Sequence, residues 1–346
     1  MSTSQPRSVE ELLEVGLRNT WYGIAPSHFV KDKPISLRRC GYKMVLWREI
    51  DGRLHALEDH CPHRGAPLSL GIPQGDRIAC GYHGVQVDGS GVAVRVPGSP
   101  GCKLEGMKAT KSFPVQERNG MIFAYVGDRL HEEPPPLVLP EELTAPEFSS
   151  FLCYVEWGND YRYAVENALD PMHGTFLHKQ SHTMSFGATQ AEFHTRDTET
   201  GFVFEKTNQR GVNFDWVEYG ETGISWLRLE IPYPKSAGPG GGFQIVAAAT
   251  PIEKGKAALM FWRCRKVQGW RRDAWRFLYR NRLERRHWSV LEQDRTMIEG
   301  MEIDARDREV LYQHDIGVVR YRRRLQSAAR AQLSELSAES PVREIA

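Results

Sequence analysis

Residues 61–84 read CPHRGAPLSLGIPQGDRIACGYHG, and this stretch decides what kind of domain the first half of the chain forms. It opens with Cys61 and His63 and closes, after sixteen intervening residues, with Cys80 and His83. Each end offers one thiol and one imidazole within a short loop, and both groups are ligands for transition metals. The spacing predicts a metal site built from two loops, each of which supplies one sulfur and one nitrogen ligand.

Two kinds of metal centre fit such a mixed set of ligands. Zinc binds thiolates and imidazoles tetrahedrally, but zinc sites more often begin with two cysteines two to four residues apart. In a Rieske [2Fe-2S] centre, one iron takes two thiolates and the other takes two imidazoles, so each loop can supply one ligand to each iron. Gly65, Gly81 and Gly84 suit loops whose backbone must approach sulfur closely. The pattern favours a Rieske [2Fe-2S] cluster, with zinc as the alternative.

The composition describes an ordinary globular chain. Its 346 residues are enough for two domains, and its net charge of +1 gives no electrostatic reason to expect nucleic acid or an anionic membrane as a partner. The first residues lack the basic and then apolar pattern of a signal peptide, and no window holds the ~20 apolar residues of a spanning helix. We therefore expect a cytoplasmic protein, in which six cysteines favour metal sites over disulfides.

Residues 20–128 consist of short apolar runs joined by turn dipeptides. Asp51-Gly52, Asp88-Gly89 and Asn119-Gly120 each separate two such runs, and these dipeptides suit β-hairpin turns. Residues 1–130 are therefore predicted to form an antiparallel all-β domain that carries the first metal site.

The rest of the chain has a different character. Residues 131–148 contain five prolines, which fit neither a β-ladder nor a helix interior, and they are predicted to be a linker. Residues 149–346 mix strand-like runs such as GFVFEK and GFQIVAAA with helical stretches, one of them near 159–180 and another in the proline-free segment 270–310. This half is predicted to be an α+β domain, an antiparallel sheet flanked by helices, so the fold class of the whole chain is α+β.

A second set of metal-binding residue types follows the linker, in the stretch NDYRYAVENALDPMHGTFLHKQSH. His173 and His178 are five residues apart, a spacing that puts them on different faces of a regular helix. Pro171 and Gly174 indicate that the helix breaks or restarts here, which can turn both imidazoles toward one point. Two histidines and one carboxylate on one face of a metal, with open positions opposite, are typical of non-haem Fe(II) oxygenases.

The carboxylate of such a triad has to come from another part of the chain. The late helix RRHWSVLEQDRTMIEGMEID offers several acids, and most acids on a long helix simply face water and pair with arginine or lysine. Spacing alone does not choose among the four candidates, which are Glu292, Asp294, Glu299 and Glu302.

Together these motifs resemble those of the ring-hydroxylating Rieske oxygenases, and specifically the shorter single-subunit type that includes phthalate dioxygenase, vanillate demethylase and dicamba demethylase. The resemblance spans nearly the whole chain. The cluster signature is matched by the four residues of the first site, and the iron signature Asn-x-x-Asp-x-x-His-x4-His is matched at Asn167, Asp170, His173 and His178.

The resemblance assigns roles that spacing left open. The family's third iron ligand is an aspartate on the C-terminal helix in a setting similar to VLEQDR, so Asp294 becomes the favoured ligand and Glu292 the fallback. Asn167 and Asp170 are implied to be catalytic. Two positions depart from the family's CPYHGW motif, since this chain has Gly81 and Val85, and these changes are expected to affect loop stiffness or the surface that meets the electron donor.

By the same resemblance, Asp170 is not an iron ligand. It is implied to accept hydrogen bonds from His173 and from the partner subunit's His83, which requires a homotrimer packed head to tail. Such a heterologous interface closes as a ring. A carboxylate bonded to two imidazoles fixes their tautomers and raises their basicity.

The resemblance also implies an activity. The chain would be the terminal oxygenase component of a multicomponent system, using the cluster and a mononuclear non-haem Fe(II) to hydroxylate an aromatic or related organic substrate with O2. No G-x-G-x-x-G fingerprint appears, so NAD(P)H is expected to be oxidised by a separate reductase, with or without an intervening ferredoxin. The alternatives are a monooxygenase that performs O- or N-demethylation, a Rieske electron carrier without oxygenase activity, and, for a zinc site, a hydrolase.

The substrate is expected to bind in the second half of the chain. Arg228 and Arg263 lie on strand-like runs with alternating apolar neighbours and are candidates to bind a substrate carboxylate. A solvent-facing side chain is the more common reason for an arginine in such a pattern.

Overall fold

The computed structural model describes residues 6, 8–127, 133–180, 184, 186–221, 224–233, 241–302 and 304–339. The chain divides into two compact units. The first unit comprises Arg18–Leu137, and the second comprises Pro6–Leu17 together with the chain from Val138 onward. Within the described residues, no helix is long and apolar enough to cross a membrane.

The first unit is all-β, as its turn dipeptides predicted. Its described residues form three antiparallel sheets with the strand orders β1-β10-β9, β2-β3-β4 and β5-β6-β7-β8. The strands are β1 Thr20–Pro26, β2 Ile35–Arg39, β3 Tyr42–Arg48, β4 Leu54–Glu58, β5 Ile72–Gln74, β6 Arg77–Ala79, β7 Gln86–Asp88, β8 Ala93–Arg95, β9 Val115–Arg118 and β10 Met121–Val126.

The three dipeptide turns lie between consecutive strands. Asp51-Gly52 joins β3 to β4, Asp88-Gly89 starts the turn from β7 to β8, and Asn119-Gly120 joins β9 to β10. Asn119 and Gly120 have φ values of 47° and 75°. Positive φ at both central residues is what a two-residue turn needs to match the right-handed twist of its strands, so the local sequence determines this hairpin.

The two loops that carry the predicted iron-sulfur ligands are attached to the core of the first unit. One of its apolar clusters contains Trp47 and Val87, which are fully buried, and also includes Cys61 and Cys80. The two thiols are therefore held by strands β3 and β7 and by the loops between them, because their side chains belong to the same packed cluster.

The second unit is built on one antiparallel sheet with the order β11-β17-β16-β15-β14-β13-β12. From β12 to β17 each strand pairs with its neighbour in sequence, and β11 pairs with β17. The strands are β11 Phe148–Trp157, β12 Phe193–Asp197, β13 Gly201–Lys206, β14 Trp216–Gly220, β15 Trp226–Tyr233, β16 Gly241–Glu253 and β17 Lys256–Lys266.

Helices accompany this sheet, which makes the second unit α+β as predicted. They are α1 Val9–Val15, α2 Glu141–Thr144, α3 Tyr161–Ala168, α4 His173–Leu177, α5 Trp270–Leu278, α6 Glu284–Glu299, α7 Ala305–Arg308 and α8 Ile316–Glu339. A π-helical segment, Tyr279–Leu283, joins α5 to α6. The main apolar cluster combines sheet residues such as Phe202 and Val217 with Tyr279 and with Tyr321 of α8.

The opening helix belongs to a different unit from the one predicted. The predicted bounds of the β domain, 1–130, included α1, whereas Leu12 and Leu13 of α1 are buried in the apolar cluster of the second unit. Glu10 ties α1 to the same unit through an ion pair with Arg162 of 2.6 Å between Oε1 and Nη2. The apolar face of an amphipathic helix is visible in sequence, but the surface that covers it is not.

The predicted linker, 131–148, is partly described. Residues 133–140 have no regular secondary structure, α2 follows, and β11 begins at Phe148. Residues 131 and 132 lie outside the described residues.

Candidate metal centres

The two cysteine loops of the first unit are closed by the same pair of backbone hydrogen bonds. The N–H of the cysteine donates to the carbonyl five residues later, at 2.7 Å for Cys61 and 2.8 Å for Cys80. The N–H of the glycine four residues after the cysteine donates back to the cysteine carbonyl, at 2.8 Å for Gly65 and 2.9 Å for Gly84. Both glycines have positive φ, 74° and 73°, which explains why glycine occupies these two positions.

The loops bring like ligands together. Cys61 and Cys80 are 2% and 3% exposed, and the Cys61 thiol contacts that of Cys80. The rings of His63 and His83 lie with their centroids 4.8 Å apart at 69°, and both residues are exposed. The thiols are thus paired inside the domain and the imidazoles are paired at its surface, which is the separation of ligands that a two-iron Rieske cluster requires.

The geometry fits a two-iron cluster better than a single zinc. Four ligands of one zinc, at about 2.0–2.3 Å from the metal, would lie within about 4 Å of each other. No three of these four side chains bring their ligand atoms within 4.8 Å of one another; among the described residues, His173, His178 and Asp294 do so. Burial raises the pKa of the Cys61 thiol, its contact with the Cys80 thiol raises this pKa further, and backbone N–H groups lower it.

The structure of this loop explains why residue 81 is a glycine. A Cβ at this position would lie 2.9 Å from the carbonyl oxygen of Leu70, closer than real Cβ contacts allow. The proline common in related motifs therefore does not fit here without a shift of the backbone at Leu70.

In the second unit, a break in the helix brings His173 and His178 together. The helix α3 ends at Ala168, and α4 begins at His173 and ends at Leu177. His178 is the residue that caps α4, with φ −97° and ψ 37°, so it is no longer on a regular helical face. The ring centroids of the two histidines are 5.1 Å apart. Pro171 lies in the break between the two helices, as predicted, whereas Gly174 lies within α4.

Asp294 of α6 completes this site. It lies on the buried face of the helix between Leu291 and Ile298, and its Oδ1 is 3.5 Å from His173 Nε2 and 3.2 Å from His178 Nε2. The ligand atoms of all three side chains lie within 4.8 Å of one another. The arrangement is that of two histidines and one carboxylate around a single point.

The hydrogen bonding of these atoms fits a bound metal. His178 Nε2 and Asp294 Oδ1 are buried and have no hydrogen-bond partner among the residues that the structure describes. Buried polar atoms in proteins are normally satisfied, so two unpartnered ligand atoms directed at one point mark a cation site. Burial opposes a charge on His178, but the neighbouring carboxylate of Asp294 outweighs burial and raises the pKa of His178.

The hydrogen bonds of the two Nδ1 atoms determine the tautomers of His173 and His178. His173 Nδ1 donates to the backbone carbonyl of Asp170 at 2.5 Å, and His178 Nδ1 donates to Oε1 of Gln293 at 2.8 Å. Because Nδ1 carries the proton in both rings, both Nε2 lone pairs are available to a metal. The sequence analysis did not identify Gln293 as the hydrogen-bond partner of His178. The only indication of this role in the sequence is that Gln293 adjoins Asp294.

The hydrogen bond expected between His173 and the carboxylate of Asp170 is made by the backbone of Asp170 instead. The carboxylate Oδ2 lies 3.9 Å from His173 Nδ1, and Oδ1 accepts from the N–H of Met172 at 2.9 Å. The Asp170 side chain is 38% exposed, so the carboxylate is open to a further partner. Asn167 lies at the end of α3, and its backbone carbonyl accepts from the N–H of Asp170.

The remaining acids of the late helix face elsewhere. Glu292, the fallback ligand, is 48% exposed and pairs with Arg295 at 3.1 Å, so it is on the outer face of α6. Glu299 accepts from the N–H of Gly158 at 2.7 Å, and Glu302 is exposed.

The two candidate substrate-binding arginines differ from the expected solvent-facing side chains. Arg228 forms ion pairs with Glu142 and Glu218, at 3.3 and 2.5 Å, and is neutralised by them. Arg263 is 3% exposed, so a solvent-facing reading of this residue is wrong. Alternation along a strand does not show that a helix covers the outer face.

Two family models match separate parts of the chain. Residues 20–114 match the Rieske [2Fe-2S] domain, and residues 157–331 match the vanillate O-demethylase oxygenase C-terminal domain. A Rieske domain implies a [2Fe-2S] cluster, and oxygenases of this family carry a mononuclear non-haem iron in the catalytic domain.

Individual relatives are similar over part of their length. The vanillate O-demethylase oxygenase subunit of Pseudomonas sp. strain HR199 is 35% identical over 164 residues, 47% of this chain and 46% of that protein. The dicamba O-demethylase oxygenase component of Stenotrophomonas maltophilia is 31% identical over 184 residues, 53% of this chain and 54% of that protein. The aligned stretch thus spans about half the length of these curated relatives.

Solved structures show the same fold over nearly the whole chain. The terminal oxygenase of carbazole 1,9a-dioxygenase from Nocardioides aromaticivorans IC177 has a TM-score of 0.78 at 22% identity, covering 94% of this chain and 97% of that one. Dicamba monooxygenase bound to dicamba has a TM-score of 0.72 at 21% identity, covering 92% and 99%. With a Rieske domain followed by this C-terminal domain, the chain belongs to the Rieske non-haem iron oxygenases of the vanillate O-demethylase type.

Proposed function

We propose that this chain is the terminal oxygenase component of a multicomponent system, which oxidises an aromatic or related organic substrate with O2. The observation that carries the proposal is the meeting of His173, His178 and Asp294 at one buried point, where the ligand atoms of two of them have no hydrogen-bond partner among the described residues. This site explains why the chain is more than an electron carrier, since a carrier needs only the first metal centre.

We assign the [2Fe-2S] cluster to Cys61, His63, Cys80 and His83, and the mononuclear iron to His173, His178 and Asp294. These three side chains would hold one face of the iron, and the metal would supply O2 activation at its open positions. The protein holds the two histidines in the tautomer that binds metal, through the carbonyl of Asp170 and the amide of Gln293. Phe214, whose ring centroid is 6.1 Å from that of His173, keeps an apolar surface beside the site.

The substrate reaction has two candidates, ring hydroxylation and demethylation. Demethylation is favoured by the relatives, because the C-terminal domain matches that of a vanillate O-demethylase oxygenase and the similar proteins include a dicamba O-demethylase. A monooxygenase that removes a methyl group from oxygen or nitrogen releases formaldehyde, whereas cis-dihydroxylation does not. Formaldehyde assayed in turnover mixtures separates the two.

We infer that electrons reach the chain from a separate NAD(P)H-dependent reductase, directly or through a ferredoxin. Structures of the carbazole 1,9a-dioxygenase oxygenase in complex with its ferredoxin support such a partner for this fold. The chain alone is then inactive with NADH.

We further propose a homotrimer in which the Asp170 carboxylate accepts a hydrogen bond from the partner subunit's His83. The half-exposed carboxylate of Asp170 and the exposed ring of His83 support this, because each has a polar group that its own unit leaves open. Sedimentation or light scattering tests the stoichiometry. A cytoplasmic location stays a prediction.

The test of the proposed function is metal analysis of protein purified anaerobically from cells able to build clusters. We expect about three irons and two acid-labile sulfides per chain, and a dithionite-reduced EPR signal of average g near 1.9. A colourless protein that contains zinc and no sulfide contradicts the oxygenase function. A red-brown protein with two irons that never consumes O2 contradicts the second metal centre alone.

A further inference from the structure

Asp59 is a buried carboxylate beside the first metal centre. It follows β4 and precedes Cys61 by two residues, so the Cα atoms of Asp59 and Cys61 are at most ~7 Å apart. The side chain of Asp59 is 0% exposed. Removal of a carboxylate from water is costly, so charged groups are rarely buried to this degree unless they are paired.

Donor groups surround both oxygens of this carboxylate. Its Oδ1 accepts from the backbone N–H of Ser69 at 2.8 Å, and its Oδ2 accepts from the hydroxyls of Ser36 and Ser69 at 2.7 and 2.8 Å. The ammonium of Lys43 lies 3.2 Å from Oδ2. Hydrogen bonds donated to a carboxylate stabilise its negative charge. Asp59 therefore places a buried negative charge next to Cys61.

The same contacts connect Asp59 to the stretch between the two ligand loops. Ser69 lies in the 3-10 helix Leu68–Leu70, which belongs to that stretch. The carbonyl of Leu70 is the group that approaches Gly81 in the second loop. Asp59 thus has a structural role, because it fixes the segment that joins the loop of the first cysteine to the loop of the second.

The charge of Asp59 is screened less than the charge of its cation. The Lys43 side chain is 45% exposed, so water and salt screen its ammonium, whereas the carboxylate is buried. Leu57 and Leu68 are fully buried in the apolar cluster that also contains the two cysteines. A charge acts over a longer distance in apolar surroundings than in water. The pair of Asp59 and Lys43 therefore imposes a net negative potential on the two thiols.

A buried negative charge changes the electron affinity of an iron-sulfur cluster. Reduction of a [2Fe-2S] cluster adds one electron, and its potential depends on the net charge and the hydrogen bonds around it. A neighbouring carboxylate repels the added electron and so favours the oxidised state. A unit charge that acts over about 10 Å, at an effective dielectric constant of ~20, changes the ratio of reduced to oxidised cluster about ten- to twentyfold.

We propose that Asp59 lowers the reduction potential of the [2Fe-2S] cluster held by the two loops, and that Lys43 partly offsets this effect. A cluster of lower potential is a stronger reductant, so Asp59 makes electron transfer to the mononuclear iron more favourable. It also requires an external electron donor that is a stronger reductant still. The proposal rests on the proposed function, because it needs a cluster on the four ligands of the first centre.

The test is a redox titration of the metal-loaded chain at pH 7 without O2, in which EPR measures the reduced cluster. We expect Asp59→Asn to raise the ratio of reduced to oxidised cluster about tenfold at a fixed solution potential, which is about 59 mV for a one-electron couple. The matched control is Asp76→Asn, the same chemical change at a 55% exposed carboxylate four residues before Cys80. Water screens that charge, so the ratio should change less than about twofold.

A second substitution separates the charge of Asp59 from its structural role. Lys43→Met removes the positive charge beside the carboxylate and should shift the ratio toward the oxidised cluster, opposite to Asp59→Asn. A purely structural role predicts that both substitutions disturb the loops alike and move the potential in the same direction. Shifts of the same sign, or an unchanged potential in Asp59→Asn, overturn the proposal. If Asp59→Asn assembles no cluster, Lys43→Met decides alone: a lowered potential supports the proposal, and an unchanged or raised one overturns it.

Failure of this proposal is distinguishable from failure of the oxygenase function. The potential is measured without turnover, and iron and sulfide are measured on the same samples. Opposite shifts in the two variants of a protein that holds only the two cluster irons support the role of Asp59 and contradict the oxygenase. A third iron per chain, with a potential that neither substitution changes, contradicts the role of Asp59 and leaves the oxygenase. A zinc protein without sulfide contradicts both.

Discussion

Replacement of Gln293 by leucine removes an acceptor from His178 and should weaken the mononuclear metal site while the cluster is unaffected. The hydrogen bond is 2.8 Å long, and the His178 side chain is 1% exposed, so no water can replace the amide oxygen. Leaving a buried N–H unsatisfied costs about 1–3 kcal/mol. Loss of a hydrogen bond that orients a metal-bound histidine typically reduces metal affinity about 10- to 100-fold, or about 1.4–2.7 kcal/mol, and the two magnitudes agree.

The assay is competition for Fe(II) with a chelator under anaerobic conditions at pH 7. Acid-labile sulfide per chain is the internal control, because the cluster ligands are in the other compact unit and should be unchanged. The matched variant is Glu292→Leu, which removes the neighbouring side chain on the outer face of α6, where an exposed ion pair contributes about 0–1 kcal/mol. Equal Fe(II) affinity in Gln293→Leu and wild type, or equal losses in the two variants, would refute the reasoning.

Three further substitutions test the assignments around the two metal centres. Asp294→Asn should lose the mononuclear iron and keep the visible spectrum of the cluster, because an amide is a much weaker ligand than a carboxylate; retention of a third iron per chain would contradict the ligand assignment. Asp170→Asn should keep both metals and lose turnover, as judged by iron analysis beside substrate-dependent O2 uptake, and unchanged turnover would exclude the bridging role. Gly81→Pro should reduce sulfide content and stability, by about 1–3 kcal/mol, because its Cβ would lie 2.9 Å from the Leu70 carbonyl, and unchanged melting would show that the loop can shift.

The first metal centre was predictable because its determinants are local. All four cluster residues lie within 61–84, and the two loops are closed by hydrogen bonds between residues four or five apart. The hairpins of the first unit are local in the same sense, since Asn119-Gly120 carries the backbone conformation that its turn requires. Residue type and short spacing are therefore enough to identify this kind of site.

The second metal centre was only half predictable. The break between α3 and α4 contains Pro171, and it brings His173 and His178 together. Asp294 lies 116 residues after His178, and several acids on α6 have similar local sequences; only the packing of α6 decides which of them points inward. Resemblance to a family, and not spacing, favoured Asp294 before the structure did.

The sequence by itself determined the fold class of each half and pointed to the candidate ligands of the first centre and two candidate ligands of the second, because these depend on turns, caps and residue types within short stretches. The tertiary structure alone decided that α1 packs against the second unit, that Gln293 accepts a hydrogen bond from His178, and that the backbone of Asp170 rather than its side chain holds His173. It also decided that Arg263 is buried, although its alternating apolar neighbours suggested a solvent-facing side chain. Each of these depends on which surfaces cover each other across long separations in sequence, and side-chain periodicity carries no information about the covering partner.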